Sequence, residues 1–151
     1  MNVPEIPKVN LEVKKIKQSI LACATKVLPR FPVLFAYLYG SHATGTAHMF
    51  SDVDIALFLS EDVVDEIVRL ESDIALAFDD ALGHRVATDV RAINDSPLVL
   101  QGEIVTEGIL LYSCDEAARV AFETRVRMTY FDFQPVIKAY HAAYIAGALR
   151  D

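Results

Sequence analysis

The stretch from residue 33 to residue 59, VLFAYLYGSHATGTAHMFSDVDIALFL, constrains the fold more than any other part of the chain. Its ends, Val33 to Tyr39 and Val53 to Leu59, are dense in Val, Ile, Phe, Tyr and Leu and too short for good helices, so each reads as a buried strand. Between them Gly40-Ser41 closes the first strand, ten residues follow, and Asp52 and Asp54 open the second as S-D-V-D. Alternation along a strand turns Asp52 and Asp54 to one face, with Cα atoms about 6.6 Å apart, and turns Val53 to the other. Two carboxylates this close raise each other's pKa unless a cation lies between them. Mg²⁺ is the simplest candidate, a hard ion that takes a few carboxylates and fills its shell with water and substrate phosphates. A Gly-Ser turn leaving a strand lets backbone N–H groups and one hydroxyl approach an anion. The pairing of phosphate cradle and carboxylates suits nucleotide chemistry; the plain alternative is a hairpin-like connection whose acids face water.

The flanking segments read as a single domain over residues 1–151, with a core at about 10–113 and a helical C-terminal segment at about 114–150. Pro4 and Pro7 keep the start extended. From Asn10, read as an N-cap, Val13, Ile16, Ile20, Ala24 and Val27 recur at helical spacing, and Pro29 and Pro32 end the helix. Ser60 caps a helix expected over about 61–82, with Val63, Ile67, Leu70, Ile74, Ala77 and Phe78 as its apolar positions and Gly83 at its close. Arg85 to Ile93 reads as a third strand. Asp95-Ser96-Pro97 opens a short helix that ends near Gly102 or Gly108. Ile109 to Tyr112 is a fourth strand, and Ser113-x-x-Glu116 is a capping-box pattern for the long segment that follows. Pro135 is expected to break that segment into two helices, the second over Val136 to Leu149. Tyr130, Phe131, Phe133, Tyr140 and Tyr144 enrich this end in aromatics; core packing is expected to take most of them, leaving part of the surface for another protein.

Asp89 stands in the middle of the third strand among Val86, Ala87, Val90 and Ile93, where a lone carboxylate is costly without compensation. Either it is an edge-strand acid, in water or paired with Arg85 or Arg91, or it is the third carboxylate of the Asp52–Asp54 site. His42 and His48 lie in the loop beside the carboxylates, where phosphate contact, positioning of an acceptor and a simple polar loop role, the commoner outcome, are all open. The four histidines show no metal-ligand spacing, and no Walker loop, G-x-G-x-x-G or H-E-x-x-H is present.

Composition narrows the function classes. Fourteen Lys+Arg against twenty-one Asp+Glu give a net charge of −7, which opposes a phosphate backbone and argues against direct nucleic-acid binding. A hydrophobic fraction of 53% points to a well-filled core and a partner-binding surface, while the longest apolar run is far below the ~18 residues of a membrane span. Cys23 and Cys114 form no C-x-x-C, so neither zinc nor a disulfide framework is indicated. The opening MNVPEIPKVN lacks the basic and apolar regions of a signal peptide, and the expected location is the cytoplasm.

Gly40-Ser41, ten residues and Asp52-x-Asp54, with Gly45 and Ser51 in the interval, resemble the signature of the polymerase-β-like nucleotidyltransferase superfamily. So short a chain looks like the minimal nucleotidyltransferase (MNT) antitoxins paired with HEPN-domain toxins. The resemblance extends through Asp89 in RVATDVRAIN, the EGILLY ending at Tyr112, and Tyr130-Phe131-Asp132-Phe133. It departs from many relatives at His42, where they carry Arg after the Gly-Ser pair, which removes any phosphate contact that Arg makes.

The resemblance implies an α/β (α+β) fold with a small mixed sheet flanked by helices and a helical C-terminal segment. It implies Asp52, Asp54 and Asp89 as catalytic and metal residues holding two Mg²⁺ ions, Gly40 and Ser41 as the nucleotide grip, and ATP as substrate. It further implies transfer of AMP to a tyrosine hydroxyl of a cognate HEPN ribonuclease toxin, with release of pyrophosphate, in a hetero-oligomer with that toxin. Two alternatives stand beside this: a small-molecule nucleotidyltransferase of the antibiotic-modifying kind, and a non-catalytic antitoxin that masks its partner.

Overall fold

The computed structural model describes residues 8–150; the expectation for Pro4 and Pro7 lies outside them. Four strands form one mixed sheet in the order β3-β2-β1-β4. The two apolar runs are the central strands, β1 (Val33–Tyr39) and β2 (Val53–Leu59), paired antiparallel with Tyr39 opposite Asp54. β3 (Thr88–Ala92) runs parallel to β2, and β4 (Ile109–Ser113) antiparallel to β1.

Alternation along the central strands divides the core between two layers. Val53, Ile55, Leu57 and Leu59 of β2 face α1 (Lys8–Val27) and α3 (Ile67–Ala81), whose Ile20, Ala24, Leu70, Ile74 and Phe78 are buried against them. Phe35, Tyr37 and Ala56 face the other way, towards α4 (Leu98–Glu107) and α5 (Glu116–Arg150), with Ile104, Phe122 and Val126. Phe35 lies stacked on Phe58, ring centroids 4.6 Å apart, and both rings tilt against Phe122. The Tyr37 hydroxyl donates to Glu123 Oε1 (2.7 Å), and Arg119 Nη1 meets the same oxygen (3.1 Å), which fastens α5 to β1. Burial first, and then this bond to a carboxylate, hold the Tyr37 hydroxyl far above its ordinary pKa. Among the described residues no helix is long and apolar enough to cross a membrane.

β3 is an edge strand, and side chains tie its end to the neighbouring elements. The Ala92 N–H donates to Glu71 Oε2 (3.1 Å), and Asn94 bonds both the N–H and the carbonyl of Leu59 (2.9 Å each). Gln101, a buried residue of α4, donates from Nε2 to the carbonyl of Ile93 (2.8 Å).

Several boundaries differ from the sequence reading. The first helix already includes Lys8, so Asn10 lies within its first turn and is not the cap. The segment after Ser60 starts as a 3₁₀ turn, Glu61–Glu66, before α3 begins, because Val63 departs from helical geometry. Pro97 stands at the cap position of α4, with extended backbone and no side-chain cap, and the helix ends at Glu107 with the Gly108 N–H on the Ile104 carbonyl (2.8 Å). Ser113 belongs to β4, and the cap of α5 is Asp115, whose Oδ1 accepts the Ala118 N–H (3.0 Å). The expected break at Pro135 is absent: α5 is one helix of 35 residues that carries Pro135 inside it. A proline deletes one ladder bond and disfavours a helix interior without always ending it. Phe131, Phe133, Tyr140 and Tyr144 are all exposed, so the core does not take most of that aromatic cluster.

α4 meets α5 at Gly102, where a Cβ would overlap the ring of Tyr130. Gly102→Ala is therefore expected to lower stability by about 1–3 kcal/mol through overpacking. Thermal unfolding followed by circular dichroism should show a fall of a few degrees; an unchanged midpoint would mean that Tyr130 swings aside at no cost.

Candidate functional site

β1 and β2 deliver their ends to one edge of the sheet, and the connection between them is tied down along its length. Gly40 leaves β1 at φ 71°, ψ −154°, a conformation reserved for glycine. One helical turn follows, α2 (Ser41–Thr44), with the N–H groups of Ala43 and Thr44 on the Gly40 carbonyl (3.0 and 3.1 Å) and Gly45 left-handed at its end. The Thr46 N–H returns to the Ser41 carbonyl (3.1 Å). Ser51 Oγ accepts the His48 N–H (2.9 Å), and the Ser51 N–H donates to the His48 carbonyl (3.0 Å).

His42 joins the two halves of this loop. Its side chain is 2% exposed, and Nε2 reaches the carbonyl of Ser51 (3.3 Å), the residue before Asp52. A carbonyl only accepts, so Nε2 carries the proton in this contact. The His42 ring is thus held inside the loop against the residue before Asp52, while its Nδ1 is buried without a hydrogen-bond partner. His48 stays exposed, with Nδ1 accepting the Phe50 N–H (3.2 Å).

The three acids lie on neighbouring strand ends at this edge. Asp54 and Asp89 are direct partners in the parallel β2–β3 register, so both side chains project from the same sheet face. Asp52 precedes β2 and is exposed, Asp54 is half-buried, and Asp89 is exposed on the edge strand. Burial, then Asp89, then Asp52 push the Asp54 carboxyl above its ordinary value of 3.8, with His42 and Arg91 working in the opposite direction. Among the described residues Asp89 makes no ion pair with Arg85 or Arg91, and Arg85 instead donates from Nε to the Leu82 carbonyl (2.8 Å). Gly40 closes the arrangement from the β1 side: a Cβ there would collide with Asp54 Oδ2. All five residues singled out from the sequence, Gly40, Ser41, Asp52, Asp54 and Asp89, therefore lie at one end of three adjacent strands.

Two further residues belong to this edge: Tyr39, which the sequence does not single out, and Arg91, which the sequence offers only as an ion-pair partner for Asp89. Tyr39 is the antiparallel partner of Asp54, and burial, Asp54 and Asp89 raise its hydroxyl while Arg91 lowers it. Arg91, two residues past Asp89 on β3, shares its face and sits opposite Ala56 in the register. The signal for Arg91 was present as D-x-R within a strand, since a spacing of two means a shared face. Nothing in the sequence marked Tyr39 apart from its place before Gly40.

The donor set suits a hard divalent cation: carboxylate oxygens only, with mutual repulsion that a cation would relieve. Among the described residues, no three acidic, imidazole or thiol side chains close into a ready-made cage.

A profile of the family described as "Polymerase beta, Nucleotidyltransferase" matches residues 23–117, an interval that contains all five site residues. The protein adenylyltransferase MntA of Shewanella oneidensis MR-1 is 38% identical over 80 residues, covering 53% of this chain and 54% of that protein. The match thus spans about half the length of this curated relative. A toxin–antitoxin crystal structure with AMP-PNP aligns at TM-score 0.65 and 24% identity, over 83% of this chain and 98% of the matched one. A tri-AMPylated Shewanella oneidensis HEPN toxin in complex with MNT antitoxin aligns at TM-score 0.58 and 20% identity, over 88% and 98%. At these identities the two structures establish the fold: a four-stranded mixed sheet between helices, continued by a C-terminal helical segment.

Proposed function

This chain belongs to the polymerase-β nucleotidyltransferase family, and from that premise we propose that it is an antitoxin that transfers AMP from ATP to a tyrosine hydroxyl of a cognate HEPN ribonuclease toxin. The observation that carries the proposal is the register pairing of Asp54 with Asp89, Asp52 beside them, against the Gly40-Ser41 turn. The partial match to a protein adenylyltransferase and the shared fold with toxin–antitoxin complexes support the choice of nucleotide and acceptor.

Each residue has a role that its position suits. Gly40 lets the chain pass flush against Asp54, and Ser41 offers its N–H and hydroxyl to the outer phosphates of the triphosphate. Asp52 and Asp54, with Asp89, would hold two Mg²⁺ ions; these, when bound, neutralise charge on the triphosphate and acidify the acceptor hydroxyl. Asp89 is exposed on the edge strand, where a side chain presented by another protein has access, and it takes the proton of the attacking hydroxyl. The acceptor oxygen forms a bond to the α phosphorus, the bond from that phosphorus to the bridging oxygen breaks, and pyrophosphate leaves. Arg91, on the same face as Asp89, supplies positive charge beside the transferring phosphoryl group. The net charge of −7 favours a protein acceptor over a polynucleotide. The cytoplasm remains the expected location.

The test is incubation with Mg²⁺, α-labelled ATP and the cognate toxin. Covalent label on a toxin tyrosine, absent when EDTA is added, is the expected result. Label appearing on a small-molecule acceptor, or toxin inhibition with no label transferred, would replace the proposal with antibiotic-type transfer or with masking.

A further inference from the structure

Beyond Tyr130 the helix α5 runs out of neighbours. It is 35 residues long, about 52 Å, and past Thr129 only Tyr130, Gln134 and Ile137 are even half-buried. An unpaired helix in water keeps a polar face. This one does not. Phe133, Val136, Tyr140 and Tyr144 recur at helical spacing on one side, with Tyr140 and Tyr144 both 72% exposed. Phe131, Ile145 and Leu149, at separations of 14 and 4 residues, line the opposite side, with Leu149 82% exposed.

Apolar surface on two opposite sides determines what kind of occupant fits. A single helix laid alongside covers one stripe and leaves the other wet, so full coverage needs a groove with a wall on each side. Together these side chains offer roughly 800 Å² of exposed apolar surface, about what one partner of a stable interface contributes. Over residues 131–151 Lys138 and Arg150 are matched by Asp132 and Asp151, so this segment is neutral within a chain of net charge −7. A second copy of this chain is a poor occupant: it offers a single α5 and brings together two bodies of the same acidic charge. The fitting occupant is a helical protein whose groove is apolar on both walls.

We propose that the distal half of α5 is a docking peg that inserts between two helices of the toxin. This rests on the reading of the chain as an antitoxin and adds the surface by which it holds its partner. The peg departs from the α4–α5 face of the sheet, the face from which Asp54 and Asp89 also project, so one docked partner has access to both.

The full-length chain, the cognate HEPN-domain toxin and two double variants, Tyr140→Glu with Tyr144→Glu and Ile145→Glu with Leu149→Glu, provide the test. Each pair is expected to weaken the complex at least about 100-fold by calorimetry, with ATP affinity unchanged as the check on folding. Loss from one pair alone would mean a one-sided partner and would overturn the two-walled groove, as would an unchanged affinity in both. Self-association of the chain by itself, removed by either pair, would assign the surface to a second copy and overturn the proposal. A tight complex that is sensitive to both pairs but transfers no AMP would uphold the docking peg and reject the enzymatic reading.

Discussion

Asp54→Asn is expected to reduce AMP transfer about 1,000-fold or more while leaving the far-ultraviolet circular dichroism of the protein unchanged. Asparagine keeps the shape that packs against Gly40, so the substitution removes charge and little else. Of the three acids Asp54 is the central one, since burial, Asp89 and Asp52 all act on it. Loss of one preorganised electrostatic group at a transferring centre commonly costs 10²–10³ in rate, and this group also belongs to the proposed ligand set, which places the expectation at about the upper end. Stability should move the other way. The folded state raises the Asp54 pKa above its unfolded value of 3.8, so it holds that proton more tightly than the unfolded chain does. Stability contributed by the proton is present below the unfolded pKa and is lost as pH rises through the folded one. The wild-type protein should therefore lose stability over that acid range relative to Asp54→Asn, and added Mg²⁺ should restore more of it in the wild type than in the variant. Transfer at the wild-type rate, or a stability difference that does not vary with pH, would show that the carboxylate cluster is incidental.

The elements legible in the sequence were those whose residues obey one local rule. Val33–Tyr39 and Val53–Leu59 are continuous apolar runs of strand length, and the strands take these bounds because a central strand buries both faces. Asp89 could be placed on a strand, but its position directly opposite Asp54 depends on the parallel register of β2 and β3, a tertiary property with no local signal. His42 shows the limit from another side. As a loop histidine it was compatible with phosphate contact, and only the fold reveals that its ring is buried on the Ser51 carbonyl. At Pro135 local propensity weighs the lost hydrogen bond and the ring clash, whereas the helix continues through it into a segment with five alanines between Ala139 and Ala148. The aromatic residues beyond it looked like core since hydrophobic spacing records that a face will be covered, not by which chain.

Gly40→Ala should show how tightly the nucleotide turn and the carboxylate site depend on one another. Two independent costs meet at this position. At φ 71°, ψ −154° the backbone occupies a region that side-chain-bearing residues essentially avoid, at about 1–3 kcal/mol. The added Cβ would also occupy the place of Asp54 Oδ2, an overpacking cost of similar size. The variant is expected to lose at least about 2 kcal/mol of stability, a fall of roughly 4–8 °C in the thermal midpoint. It should also lose about 100-fold or more in AMP transfer, because relief of the clash must displace Asp54 or the turn that begins at Ser41. A double-mutant cycle separates the two costs. In an Asp54→Ala background the carboxylate is gone and only the backbone strain remains, so the stability penalty of Gly40→Ala should shrink by about 0.5–3 kcal/mol. An undiminished penalty in that background would assign the whole effect to φ and ψ, and the close approach of turn and carboxylate would then contribute nothing to how this site is held together.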